Sequence, residues 1–158
     1  MKPLVIYHAN CADGYAAAFA AWLVLGDEAE YVPCQYGKQA EEFMTSLAFD
    51  REVYILDFSF PKNVMDEIFH KAEYVVLLDH HKTAFETYDK NPAFPWRELD
   101  SRADILLNSG KSGAVLAWEY FHPEKTIPMF IRLIDTRDRW VFEIPGAKEF
   151  NAALWSIA

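Results

Sequence analysis

The sequence predicts an α/β fold: a mostly parallel, open sheet of about five strands flanked by helices. Two observations carry that expectation. Short apolar runs alternate with longer helical segments, the pattern of parallel strands covered by helices. Three of those runs also end on Asp or His, and ligands bind beyond the carboxyl ends of strands in open α/β sheets.

The elements follow in order. Residues 4–8 read as a first strand, built on Leu4-Val5-Ile6-Tyr7. Residues 13–25 form an alanine-rich helix, stopped near Gly26-Asp27. Residues 30–35 are a second strand and 38–48 a helix. Residues 52–57 give a third strand around Val53-Tyr54-Ile55-Leu56, and Pro61 opens a helix running through His70, as proline does in a first turn. Residues 73–78 are a fourth strand, the uninterrupted apolar run Tyr74-Val75-Val76-Leu77-Leu78. Residues 88–111 carry Asn91-Pro92, Pro95 and Ser109-Gly110; these punctuate a loop with one short strand at Ile105-Leu106-Leu107. Ser112 caps a helix to about Phe121. Pro128 starts another through about Ile134, and residues 147–157 form a last amphipathic helix. The sequence holds no repeat and no low-complexity tract.

A chain of 158 residues fits one ordinary domain, here residues 1–158. A 52% hydrophobic and 16% aromatic composition supplies a core and excludes a disordered chain. The formal net charge of −9 disfavours a duplex nucleic-acid partner, whose binding face is basic. The two cysteines, Cys11 and Cys34, lack CxxC spacing and read as free thiols of a reducing compartment. No signal peptide is legible, and the apolar stretch Tyr15 to Leu25 is too short to span a bilayer. A cytoplasmic protein with no membrane partner is expected.

Four motifs carry chemistry. In the first, His8 ends the first strand and is followed by Cys11 and Asp13-Gly14. Asp13 is suited equally to capping the following helix and to holding a metal, and His8 at the end of the strand favours the site. The second is Asp57, at the end of the third strand, where a turn or cap role competes. The third is Asp79-His80-His81, directly after the fourth strand. Three polar heads there are not core packing, because burying them without partners is costly. Adjacent residues of an extended chain point to opposite sides, so one His can ligate metal while the other faces substrate. Lys82 and Thr83 follow, where they could position phosphate oxygens but read more simply as a solvated lysine and a cap. The fourth is Asp135-Thr136-Arg137-Asp138-Arg139, following an apolar helix; an internally paired surface cluster is the competing reading. Gly110-Lys111-Ser112 is not a phosphate loop, because the upstream glycine is absent, Ile105 standing there. A helix starting near Ser112 still offers N–H groups to an anion. His70 and His122 read as ordinary residues of helix ends.

Taken together, His8, Asp13-Gly14, Asp57, Asp79-His80-His81 and the Asp135/Asp138 segment resemble, in order and spacing over about residues 4–140, the DHH phosphoesterase superfamily. The resemblance implies a Rossmann-like catalytic domain with two manganese ions at the carboxyl edge of the sheet, magnesium or cobalt being alternatives. It implies that His8 binds one metal and that Asp57 bridges both. Asp13, His80 and either Asp135 or Asp138 would hold the second. The catalytic candidates are His81, contacting phosphate or assisting the leaving group, and Asp79, supporting the ligands. Two departures stand out. Cys11 occupies a position that is often Asp in the family, and sulfur suits manganese less well than a carboxylate; Asn10 is an alternative oxygen donor. The substrate-binding lobe that follows the catalytic domain in the family is also expected to be absent.

The expected function is metal-dependent hydrolysis of a phosphodiester or phosphoanhydride bond in a nucleotide or short single-stranded oligonucleotide. A catalytically impaired nucleotide-binding module is the alternative. A purely structural domain leaves the Asp-His-His cluster unexplained.

Overall fold

The computed structural model describes residues 1–157; Ala158, the last residue of the predicted domain, lies outside the described residues. The chain order is β1 (Leu4–His8), α1 (Ala12–Leu25), β2 (Glu30–Cys34), α2 (Lys38–Leu47), β3 (Glu52–Leu56), α3 (Lys62–Lys71), β4 (Tyr74–Asp79), α4 (Lys82–Thr87), β5 (Trp96–Leu99), β6 (Ala103–Leu107), α5 (Gly113–Phe121), α6 (Met129–Asp138) and α7 (Ala147–Ile157). The fold is α/β and Rossmann-like. Its six-stranded sheet has the order β2-β1-β3-β4-β6-β5. Every neighbouring pair is parallel except β5 with β6.

Strand alternation builds two apolar layers, because successive side chains of a strand point to opposite faces. Leu4, Ile6, Val53, Ile55, Val75 and Leu77 enter one core with Met65 and Ile68 of α3. Val5, Leu56, Val76 and Leu78 enter the other, against the alanines of α1 and the apolar face of α5. The small residues Ala16, Ala17, Ala20 and Ala21 are all buried, which lets α1 lie close on α5. The parallel register aligns Tyr7 with Leu56 and Leu56 with Leu78. The next residues along, His8, Asp57 and Asp79, therefore emerge side by side at one edge of the sheet.

Three expectations need correction, one helix went unread, and one competing reading falls. The sheet has six strands, not about five: β5 was read as loop because Trp96-Arg97-Glu98-Leu99 is a mostly exposed edge strand with no apolar run. The short helix α4 had no legible periodicity. Pro61 lies just before α3 in extended backbone instead of inside its first turn. Helix α6 does not stop near Ile134 but continues through Asp138, so the fourth motif lies on the helix and not beyond it. Finally, Asp13 does not cap α1; Cys11 holds that position, without a side-chain capping bond. Among the described residues, no helix is long and apolar enough to cross a membrane.

Candidate metal centre

Asp57 is the hinge of the site. It is fully buried and has a left-handed backbone, φ 57°. That conformation is uncommon outside glycine and is tolerated best by Asp and Asn. It turns the chain out of β3 while its N–H still reaches Leu78 O at 2.9 Å. Its two oxygens face different neighbours. Oδ2 lies 3.6 Å from His8 Nδ1 and 3.8 Å from Cys11 Sγ. Oδ1 lies 2.9 Å from His80 Nε2.

Three overlapping donor groups result, each with its atoms within 4.8 Å of one another: His8, Cys11 and Asp57; Asp57, Asp79, His80 and His81; and Asp13, His80 and Asp138. His80 joins the halves: Nε2 is also 3.3 Å from Asp13 Oδ2, and Nδ1 is 3.5 Å from Asp138 Oδ2. Asp135, the other residue of the fourth motif, does not enter the cluster. Its Oδ2 accepts from Arg139 at 2.6 Å and its Oδ1 accepts from the Ser112 N–H at 2.9 Å. Its role is to tie α6 to the start of α5.

The N-terminus of α5 abuts the centre, and four of its N–H groups have partners. Ser112 N–H goes to Asp135, Gly113 and Ala114 N–H go to the two oxygens of Asp13, and Val115 N–H goes to Ser112 Oγ. The anion at this helix end, where the dipole favours negative charge, is thus a carboxylate of the chain itself. Gly113 is required for the approach, since a β-carbon there would stand 2.5 Å from Asp57 Cβ. Gly14 similarly lets α1 pass His8, whose carbonyl oxygen would lie 2.1 Å from an added β-carbon. Neither packing partner had a local signal in the sequence.

Asp79 is fully buried and supports the neighbouring histidines. Oδ2 accepts from Ser59 Oγ at 2.6 Å, and Oδ1 accepts from the His80 N–H at 2.8 Å. His81 Nδ1 lies 2.7 Å from the same Oδ1. An N–H donated there leaves Nε2 as the free nitrogen on the far side of the ring. His81 also lines an open cavity of about 540 Å³, with Tyr36, Ser59, Lys82 and Thr83. A second, smaller cavity of about 140 Å³ adjoins Asp13 and Asp138, with Asn10, Arg137 and Trp155 on its wall. The whole centre is thus flanked by space on two sides.

The charges are strongly coupled. The Asp57 carboxylate, 3.6 Å from Nδ1, raises His8 to about 10. Burial pulls His80 down, but Asp13 and Asp57 outweigh it and raise the group to about 11. Burial opposes ionisation of Asp57, yet His8 and His80 hold it well below the usual carboxylate range. Asp13 is pushed up to about 7 by burial and by the Asp57 charge. Burial also raises Asp138. Positive imidazolium rings hold this carboxylate cluster together, the electrostatic role a cation would take over.

The residues fit divalent metal on an observation independent of sequence pattern. His8 Nδ1 is buried and has no hydrogen-bond partner, although it faces Asp57 and Cys11. Buried polar atoms are normally satisfied, and an imidazole nitrogen between a carboxylate and a thiol is a ready ligand.

No protein-family model matches the chain. An uncharacterized protein of Acanthamoeba polyphaga mimivirus is 34% identical over 160 residues, covering 93% of this chain and 35% of that protein. The chain therefore spans about a third of the length of the curated relative it matches. Among solved structures, the crystal structure of an uncharacterized protein from Helicobacter pylori G27 superposes with a TM-score of 0.73 at 14% identity. It covers 99% of this chain and 48% of that one. That likeness supports the fold.

Proposed function

We propose that this chain is a metal-dependent phosphoesterase domain of the DHH type, hydrolysing a phosphodiester or phosphoanhydride bond in a nucleotide or short single-stranded oligonucleotide. The observation that carries the reading is the division of Asp57: one oxygen faces His8 and Cys11, the other faces His80. A single carboxylate shared by two donor sets is the arrangement a two-ion centre needs. His8, Cys11 and Asp57 would hold one ion; Asp57, Asp13, His80 and Asp138 would hold the other, with manganese as the first candidate and magnesium or cobalt as alternatives.

When bound, divalent ions here would lower the pKa of a water and neutralise charge on a phosphoryl group. The chain's own residues do the rest. Asp79 fixes the ring of His81 through Nδ1, which leaves Nε2 to contact a phosphate oxygen or protonate a leaving group at the wall of the larger cavity. Ser59 satisfies the second Asp79 oxygen and keeps that carboxylate from rotating. Tyr36 and Lys82 on the same wall offer an aromatic face and a cation, groups that suit a nucleobase and a phosphate.

The second reading is a module that binds a nucleotide without cleaving it, and Cys11 is the observation that favours it. A manganese-supplemented screen over pyrophosphate, a cyclic dinucleotide, a 3′-phosphorylated nucleotide and a short oligonucleotide decides between them. Turnover of one class, abolished by chelation, supports hydrolysis. Saturable binding with no product supports the module. Failure to bind any divalent ion rejects both.

A further inference from the structure

The two halves of the centre differ in donor chemistry, and the difference lies in Cys11. Its side chain leaves the start of α1 uncapped and is directed at Asp57 instead. With His8 Nδ1 it forms a nitrogen–sulfur–oxygen triad around Asp57 Oδ2. The other half, Asp13, His80 and Asp138, offers only oxygen and imidazole nitrogen.

We propose that the His8–Cys11–Asp57 half is a sulfur-containing site for a borderline-soft divalent ion, zinc foremost, while the Asp13–His80–Asp138 half takes the harder manganese or magnesium. The proposal rests on the two-ion reading above and makes the centre a mixed-metal one.

Three facts support it. The first is spacing. Tetrahedral zinc, with bonds of about 2.0 Å to nitrogen or oxygen and about 2.3 Å to sulfur, holds its donors roughly 3.3–3.5 Å apart. The separations here are 3.6 Å for Asp57 Oδ2 to His8 Nδ1 and 3.8 Å for Asp57 Oδ2 to Cys11 Sγ. Shifts of a few tenths of an ångström bring these two pairs to that spacing, and the His8–Cys11 pair lies within 4.8 Å. The second is the unpartnered, buried His8 Nδ1. The third is the surroundings. The rings of Phe58, Tyr36 and His81 stand 5.8, 5.7 and 5.8 Å from the His8 ring, and this aromatic surround leaves fewer positions for the waters that an octahedral ion retains. Thiolate ligands select zinc, whereas carboxylate and water suit manganese and magnesium.

Cobalt reads the sulfur directly, because a Co²⁺–thiolate bond gives a near-ultraviolet charge-transfer band that needs no turnover. The metal-free chain is titrated with Co²⁺ and its spectrum followed, with bound metal counted by elemental analysis. The band is expected to saturate at the first equivalent, to vanish in Cys11→Ser and Cys11→Asp, and to persist in Cys34→Ser, whose thiol lies in the core against the Gln35 carbonyl. One equivalent of Zn²⁺ should abolish the band while Mn²⁺ does not. Cys11→Asp keeps a ligand at this position and covers the case in which Cys11→Ser does not fold. Two bound Co²⁺ ions without the band, or a band that survives both Cys11 variants, overturns the sulfur site and leaves the two-ion reading standing. A band that grows only with the second equivalent overturns the zinc-first selectivity. No binding of Co²⁺, Zn²⁺ or Mn²⁺ by the wild-type chain overturns the two-ion reading itself.

Discussion

Gly113 and Asp57 are in contact across the fold: a β-carbon on Gly113 would meet Asp57 Cβ at 2.5 Å and its carboxyl atoms at 2.7 Å. The first turn of α5 thereby packs directly against the central carboxylate of the site. Gly113→Ala forces one of the two to move. Overpacking of this kind costs about 1–3 kcal/mol, and the displaced carboxylate is the one shared by both donor sets. Thermal denaturation should show that loss, and metal stoichiometry should fall below two. Unchanged stoichiometry would mean that the helix yields and Asp57 does not.

Asp57 and Asp79 are both fully buried carboxylates, yet they differ in what they touch. Asp57→Ala should remove metal at both positions, because one side chain serves two donor sets. Asp79→Ala should weaken affinity by about 10–100-fold, as loss of a group that orients a ligand does. Calorimetric titration that finds equal losses in the two variants contradicts this division.

The two aspartates of α6 should separate cleanly. Asp138 lies 3.5 Å from His80, so Asp138→Ala should lower metal affinity with little change in fold stability. Asp135→Ala leaves the buried Ser112 N–H and the Arg139 guanidinium without their acceptor. An unsatisfied buried donor costs about 1–3 kcal/mol, so the second variant should lose stability first. Parallel denaturation and metal titration of the pair checks the contrast.

His81→Ala should keep both metals and lose turnover by about 10²–10⁴-fold, the usual contribution of a general acid or base. Near-normal turnover with intact metal content would reduce His81 to a packing residue of the cavity wall.

Metal uptake should release protons. His8 and His80 are raised from 6.5 to about 10 and about 11 in the metal-free chain by their carboxylate partners, so both are protonated at neutral pH. A ligating imidazole must be neutral. Affinity should therefore climb as pH rises from 7 to 9, and calorimetric heats should vary with the ionisation enthalpy of the buffer. The metal-free fold should respond oppositely. The stabilisation from these raised histidines is fully present below the unfolded value of about 6.5 and is lost as pH rises through about 10 and 11. Added metal should then restore stability at alkaline pH. A pH-independent affinity would contradict the proton-filled site.

The sequence by itself determined the strands and the site's raw material. The apolar runs at Leu4, Val53 and Tyr74 are continuous because parallel strands are buried on both faces. His8, Asp57 and Asp79 were legible because polar residues ending such runs have nowhere to go but the sheet edge. Strand β5 was not legible, since an exposed edge strand such as Trp96–Leu99 needs no apolar pattern. The tertiary structure decided the rest. Asp13 reads locally as a cap for its own helix, but it caps α5, about a hundred residues later, and no local pattern records that partner. The choice of Asp138 over Asp135 depended on where α6 ends and how it is rotated. Three residues along a helix differ by about 60° around its axis, enough to send one carboxylate to His80 and the other to Arg139 and the Ser112 N–H. Proximity along the chain shows in sequence; proximity across it arises only when the layers pack.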